Sequence, residues 1–381
     1  MHLSDLHIGK RVCEYSMLED QRYILDEVLE IARAEKPEAV ILAGDIYDRA
    51  VPSAEAVRVF DHFLTELSQI CEAVCVIYGN HDCAERLAFG NALMETSHVY
   101  VSPVYDGTVK SVCLSDEWGK VRIHLLPFLK PAAVRHVWEE EPADTTEEVV
   151  RTVLTHLKKD LEDNPENNPE DRNVLAAHQF VTGAGRCESE ELAVGGTDQI
   201  PAEVFDGFDY VALGHLHGPQ SVGRETIRYC GTPLKYSFSE VHHKKSVTMV
   251  ELCEKGKVFV RTIPLHPLRD LREIRGTYLE LTAKSFYEGT DTQDYIRAIL
   301  TDEEDIPDGL QKLKVIYPNL MQLVYDNKRT RMDQQVEANE QVEKKSELEL
   351  FEEFFEIQNN QPMSEQQRTF CREQFEKILG L

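Results

Sequence analysis

What the sequence lacks narrows its class first. No apolar run approaches the roughly 20 residues needed to span a bilayer, so no membrane-spanning helix is expected. No basic segment followed by an apolar stretch opens the chain, so a secretory leader is not expected either. None of the nine cysteines falls in a C-x-x-C pair. An odd, unpatterned set fits reduced thiols in a cytoplasmic protein and offers no thiolate metal motif. Positive charge is scarce: 41 Lys and Arg stand against 68 Asp and Glu, a net charge of −27. That argues against binding nucleic acid through overall charge. The acidic excess is local, in Glu139–Glu141, Glu147, Glu148, Asp302–Asp305 and Glu347–Glu356. A neutralised or metal-filled cleft, or a basic partner, can still accept phosphates.

The 381 residues, 42% of them apolar, suffice for two or three domains with a sizeable core. Over 1–265, short β-rich apolar runs alternate with helical stretches. Leu18 to Ala34 reads as a helix, with Ile24, Leu25, Val28, Leu29 and Ile31 near helical spacing and Pro37 stopping it. "AVILAGD" follows as a buried strand. Ser53 caps a second helix to about Ile70, and "AVCVIYGNHD" is the next strand. "VRIHLLPF", "NVLAAHQF", "FDYVALGH", "TIRYCGTP" and "SVTMVEL" are further strands. Strands separated by helices early and closer together later predict an α/β core of two sheets packed face to face. The stretch "KKDLEDNPENNPEDRN" reads as an exposed loop. A small β-α-β unit is expected over 266–326, with a helix near Asp294 to Leu300. The polar run over 327–346 reads as a linker, and 347–381 as a helical tail.

Five short motifs each follow a strand candidate. They are Asp5-Leu6-His7, Gly44-Asp45-Ile46-Tyr47-Asp48, Gly79-Asn80-His81-Asp82, Ala177-His178 and Gly214-His215-Leu216-His217. In open α/β sheets, sites form where loops leave the carboxyl ends of strands, so these loops should meet on one edge. Carboxylate, imidazole and amide donors suit a first-row divalent ion such as manganese. There are donors enough for two ions. Two ions bridged by a carboxylate can activate water and clamp a phosphoryl group. The glycines let backbone pass close to such ions. Taken alone, Asp5 and His7 fit a polar turn, Asp45 a loop or cap residue, and His178 a satisfied core histidine. The ordered set favours ligands.

That order, D-x-H, G-D-x-x-D, G-N-H-D, H, G-H-x-H, resembles the calcineurin-like metallophosphoesterase superfamily. "HLSDLHIGKRV", "GDIYDRAVPSAEAVRVF", "VIYGNHD", "LGHLHGPQ" and "YCGTPLKYSFSE" look closest to its bacterial DNA-repair members, nuclease subunits that work with a coiled-coil ATPase. The resemblance runs through nearly the whole chain. It implies a metallophosphoesterase β-sandwich flanked by helices, with a small α/β capping domain (266–326) over the cleft and a helical tail. It also implies two divalent metal ions, manganese the foremost choice. Asp5, His7 and His217 would hold the first, Asn80, His178 and His215 the second, and Asp45 would bridge. His81 would act on the scissile phosphate, oriented by Asp82. Asp48 would be secondary, since a carboxylate cannot serve as a phosphate-facing cation. Only Met1 to Ser4 precede Asp5, fewer than such chains usually carry, so a short first strand is expected.

The activity implied is 3′-to-5′ double-strand exonuclease and single-strand endonuclease on DNA, in repair, recombination and replication. Two rivals remain: a small-substrate phosphodiesterase of the same superfamily, and a non-catalytic scaffold. The resemblance further implies a homodimer within a heterotetramer. Two amphipathic tail helices, striped by Leu348, Phe351, Phe354 and Phe355 and by Phe370, Cys371, Phe375, Ile378 and Leu379, would dock on the ATPase. Ser364 with Gln367 forms a capping box for the second. Gly231-Thr232-Pro233 and Lys235-Tyr236-Ser237 are expected to support the site rather than react. His242 to Lys245 reads as a solvated basic turn. His2, His62, His98, His124, His136 and His156 read as structural or surface residues.

Overall fold

The computed structural model describes residues 1–165, 167–190, 199–331, 347–359 and 361–379. They form two units, Met1–Leu268 and Arg269–Leu381.

In the first unit, two six-stranded sheets lie face to face. One runs Val258–Pro264, Ser246–Leu252, His2–Leu3, Ala39–Ala43, Ala73–Ile77, Val99–Val101. Its last four strands are mutually parallel. The other runs Gln220–Val222, Arg224–Tyr229, Tyr210–Gly214, Arg172–His178, Gly119–Leu126, Lys110–Asp116, with the middle four parallel. The near-continuous apolar runs "AVILA" and "AVCVI" belong to strands covered on both faces, as parallel sheets require. Side-chain alternation sorts the second sheet: Val174, Ala176, Tyr210 and Ala212 face the first sheet, against Ile41, Ala43, Cys75 and Ile77. Leu175, Ala177, Val211 and Leu213 face outward onto Val149, Val150, Val153 and Leu157 of the helix Thr146–Asp163.

Both helices expected in this unit form, and a third, Thr146–Asp163, stands beside them. Leu18–Glu35 ends at Lys36 in a left-handed conformation just before Pro37. Ala54–Ile70 starts where Ser53 Oγ accepts the Ala56 N–H. A reciprocal capping box of Thr145 and Glu148 starts Thr146–Asp163. That helix takes in the first six residues of the stretch expected to be loop. Its buried stripe from Val149 to Leu157 carries it on before the Asn-Pro pairs break it.

In the second unit, three parallel strands, Leu271–Gly276, Tyr295–Leu300 and Leu320–Tyr325, form one sheet. The helix expected near Asp294 to Leu300 is therefore a strand, central in that sheet. Ile296, Ala298 and Leu300 alternate into the core with Ile274, Leu313, Tyr317 and Leu320. A six-residue run fits both periods, and pairing on both sides decides it. The helical connections are Tyr278–Thr282, Lys284–Tyr287 and Gly309–Lys314. Of the expected linker, 328–331 form a helical turn and 332–346 lie outside the described residues. Glu347–Asn359 and Glu365–Leu379 follow as helices, the second opened by the Ser364–Gln367 box. Phe351 meets Phe375 with ring centroids 5.6 Å apart. Phe354 and Phe370 remain 56% and 62% exposed.

Candidate metal centre

All five motifs leave the carboxyl ends of parallel strands. Asp5 and His7 follow His2–Leu3, Asp45 follows Ala39–Ala43, Asn80 follows Ala73–Ile77, His178 ends Arg172–His178, and His215 follows Tyr210–Gly214. The first two loops are joined, with Asp5 N donating to Gly44 O and His7 N to Asp45 O, each at 3.0 Å. Asp5, His7, Asp45 and His215 all take positive φ, of 53°, 43°, 50° and 101°. Side chains rarely adopt that region, and such strain concentrates where geometry serves a site. Only Gly44 among the motif glycines needs a positive φ. Gly79 and Gly214 matter for space: a Cβ would strike the Asp45 carboxylate at Gly79 and the Ala43 carbonyl at Gly214.

The side chains gather in two lobes. In one, Asp5, His7 and His217 bring ligand atoms within 4.8 Å of one another, with His7 Nε2 3.1 Å from His217 Nε2. In the other, Asn80 Oδ1 lies 3.1 Å from both His178 Nε2 and His215 Nδ1. Asp45 Oδ2 stands between them, 3.8 Å from His7 Nε2 and 3.3 Å from His178 Nε2. Asp5, His7, Asp45, His178 and His217 are buried. A cavity of about 370 Å³ at the other end of the strands, beside Met1, Glu38 and Tyr210, contains none of these residues.

His81 is placed differently from His7, His178 and His217. Its side chain is 15% exposed, against 2% or less for His7, His178 and His217. Its Nδ1 lies 3.0 Å from the Asp48 carbonyl, and its Nε2 lies 3.9 Å from Asp45 Oδ2. Asp82 does not orient this ring, contrary to the expectation. It accepts the N–H groups of Ile46, Tyr47 and Gly79, tying two motif loops together. The ring is steered instead by the Asp48 carbonyl, and the residue is held by its backbone N–H, which Asp45 Oδ1 accepts at 2.9 Å. The Asp48 carboxylate pairs with Lys10 Nζ at 2.8 Å, so a cation stands at this edge after all.

These residues fit divalent cations. The Nε2 atoms of His7 and His217 face each other at 3.1 Å, where one cation would accept a lone pair from each. The donors are nitrogen and oxygen only, suited to hard or borderline ions. Burial pushes the Asp5 carboxyl up to about 6, opposed by His178. Burial would raise Asp45 too, but His178, His7 and His81 outweigh it and hold that carboxyl well below its usual range. Burial depresses His7 well below the ordinary imidazole value, leaving it neutral as a ligand must be.

Tyr236 and Thr232 support the site as expected, whereas Gln21, Lys245 and Lys10 are additions the motifs did not mark. Gln21 Nε2 donates to His7 O at 2.7 Å and its Oε1 accepts the Gly9 N–H. Tyr236 OH donates to Leu6 O at 2.7 Å. Lys245 is not solvated, contrary to the expectation. It is 7% exposed and bonded to Glu240, Thr232 and the His217 carbonyl. Helical periodicity put Gln21 on a buried face, which was the available signal. Lys10, five residues past Asp5, was another. His2 and His124 are structural, bonded to Tyr210 and to Ser111 and Asn173.

Comparison with known proteins shows what the chain is similar to. Residues 1–219 match the model for calcineurin-like phosphoesterases, and residues 267–359 match that for the Type 5 capsule protein repressor C-terminal domain. The chain is 31% identical over 325 residues to the SbcD subunit of nuclease SbcCD from Staphylococcus saprophyticus, covering 85% of this chain and 83% of that protein. It is 29% identical over 373 residues to the protein of the same name from Staphylococcus epidermidis, covering 96% and 95%.

Proposed function

This chain belongs to the calcineurin-like phosphoesterase family, and on that premise we propose that it is a metal-dependent DNA nuclease subunit working with an SbcC-type ATPase. The observation that carries the proposal is the convergence of five strand-end loops on two donor lobes that share Asp45.

Asp5, His7 and His217 would hold one ion, Asn80, His178 and His215 the other, with Asp45 common to both. We assign two manganese ions, which would supply Lewis acidity to the phosphodiester and the attacking water. His81 then has a defined task. With Nδ1 donating to the Asp48 carbonyl, its Nε2 is left for the substrate side of the pocket. A protonated Nε2 would donate to the leaving oxygen or to charge building on the phosphate. Asp82 holds the Asp45 and Asn80 loops in register while this happens. Lys10 offsets the Asp48 charge where a polyanion must approach.

The unit over 266–326 would act as a cap steering DNA ends, and 347–381 would dock on the ATPase, in a heterotetramer built on a homodimer. Exonuclease action from 3′ to 5′ on duplexes and endonuclease action on single strands complete the reading. The test is cleavage of linear duplex DNA in manganese, with and without the ATPase, by wild type and His81→Ala. Metal-dependent cleavage lost in His81→Ala supports the proposal. Cleavage of small diesters but never DNA would point to a small-substrate phosphodiesterase, and no cleavage in either arrangement to a scaffold.

A further inference from the structure

We propose that Glu240, acting through Ser189, is a positioning residue that fixes the tautomer of His217 and aims its Nε2 into the first lobe. The inference rests on the reading of His217 as a metal ligand and names what holds that ligand in place.

The protons along a short chain of groups can be counted. Ser189 Oγ lies 2.6 Å from Glu240 Oε1 and 2.7 Å from His217 Nδ1. Glu240 and His217 themselves are 3.6 Å apart, beyond a direct hydrogen bond, so the serine is the link. Glu240 is fully buried and paired with Lys245 Nζ at 2.5 Å. An ionised carboxylate only accepts. The single hydroxyl hydrogen of Ser189 therefore goes to Glu240, and its oxygen must accept from His217 Nδ1–H. A neutral imidazole with its hydrogen on Nδ1 has its lone pair on Nε2. That nitrogen is the one 3.1 Å from His7 Nε2, in the group with Asp5.

The same cluster grips His217 at its backbone. Glu190 Oε1 accepts the His217 N–H at 2.7 Å, and Lys245 Nζ donates to the His217 carbonyl at 2.9 Å. Lys245 also donates to Thr232 Oγ1 at 2.6 Å, and the Tyr236 N–H reaches Glu240 Oε1 at 3.3 Å. A buried ion pair is costly to desolvate and is weak evidence for stability by itself. Here both partners direct their bonds at one histidine. Partners of this kind set ligand orientation and basicity, and their loss typically costs roughly 10–100-fold in metal affinity.

Ser189→Ala removes the link while leaving the Glu240–Lys245 pair intact, and Ser189→Thr restores a hydroxyl. Glu240→Gln can reverse the chain, since the amide can donate to Ser189 and turn its hydroxyl toward Nδ1. The experiment titrates chelator-stripped full-length protein with manganese, reading free ion by electron paramagnetic resonance, beside thermal unfolding in EDTA. The expected result is two ions for wild type. In Ser189→Ala one of them binds roughly 10–100-fold more weakly while the other and the metal-free Tm are unchanged. Ser189→Thr should recover the affinity, and Glu240→Gln should lose at least as much as Ser189→Ala. A Ser189→Ala isotherm matching wild type overturns the inference. So does equal weakening at both sites, or a lowered metal-free Tm accounting for the loss. A wild type that binds no ion overturns the reading of the site itself, and the inference with it.

Discussion

Asp45 Oδ2 lies 3.3 Å from His178 Nε2, although the two residues leave strands of different sheets. The candidate metal centre is thus also the seam where the two halves of the sandwich meet. His178 Nδ1 donates to the Ala43 carbonyl at 2.8 Å across the same seam. Both contacts need glycine beside them, which leads to the first expectation.

Gly44→Ala should damage stability and site together. Gly44 has φ of +89°, and an added Cβ would collide with the His178 ring. The backbone alone costs about 1–2 kcal/mol for a residue with a Cβ. Thermal unfolding should show a lower Tm, and manganese titration should show weakened binding at the His178 side.

His81→Ala and Asp82→Ala should fail in different ways. His81 has its Nε2 left for the substrate side of the pocket, so its loss should lower kcat roughly 10²–10⁴-fold with manganese binding intact. Asp82 accepts three backbone N–H groups that hold two ligand loops. Its removal leaves those donors unsatisfied, at about 1–3 kcal/mol for each that water cannot reach. Urea unfolding and metal binding should both weaken in Asp82→Ala and neither in His81→Ala.

Acid should destabilise the fold through His124. Burial between Ser111 and Asn173 lowers this imidazole to about 4. The unfolded side chain titrates near 6.5, so between the two values the unfolded chain binds the extra proton. The contribution is complete above about pH 6.5 and is lost as pH falls toward 4. At pH 5 the loss is about 2 kcal/mol, from about 1.5 pH units at 1.36 kcal/mol each. Urea unfolding in EDTA at pH 7.5 and 5.0 should show this loss in wild type, and His124→Gln should lose less by about that amount.

The tail should be separable from the chemistry. Phe354 and Phe370 are exposed apolar side chains on the paired tail helices. Phe354→Glu with Phe370→Glu, or deletion of 340–381, should abolish co-purification with the ATPase while manganese-dependent cleavage of a small phosphodiester continues. Retained association would contradict the docking assignment.

Much of the site was legible because four of the five motifs follow a run of apolar β-formers, and a strand end is a place. Knowing that "AVILA" and "AVCVI" are strands puts Asp45 and Asn80 on one edge. Helix starts were legible where a cap stands before the stripe, as at Ser53 and Ser364. What escaped was pairing over distance. Nothing near Lys245 in the chain marks it as the buried partner of Glu240, and Ser189 meets His217 only because the fold brings a loop back 28 residues later. Asp82 sits next to His81 in sequence, yet its carboxylate turns to backbone donors 35 and 36 residues away. Tyr295–Leu300 was ambiguous for another reason: six residues are too few to separate a period of 2 from 3.6.

The most direct test of the whole account is anomalous diffraction from crystals grown with manganese. Two peaks are expected, one ringed by Asp5, His7 and His217, the other by Asn80, His178 and His215, with Asp45 touching both. A single peak away from these residues, or none at saturating manganese, would contradict it.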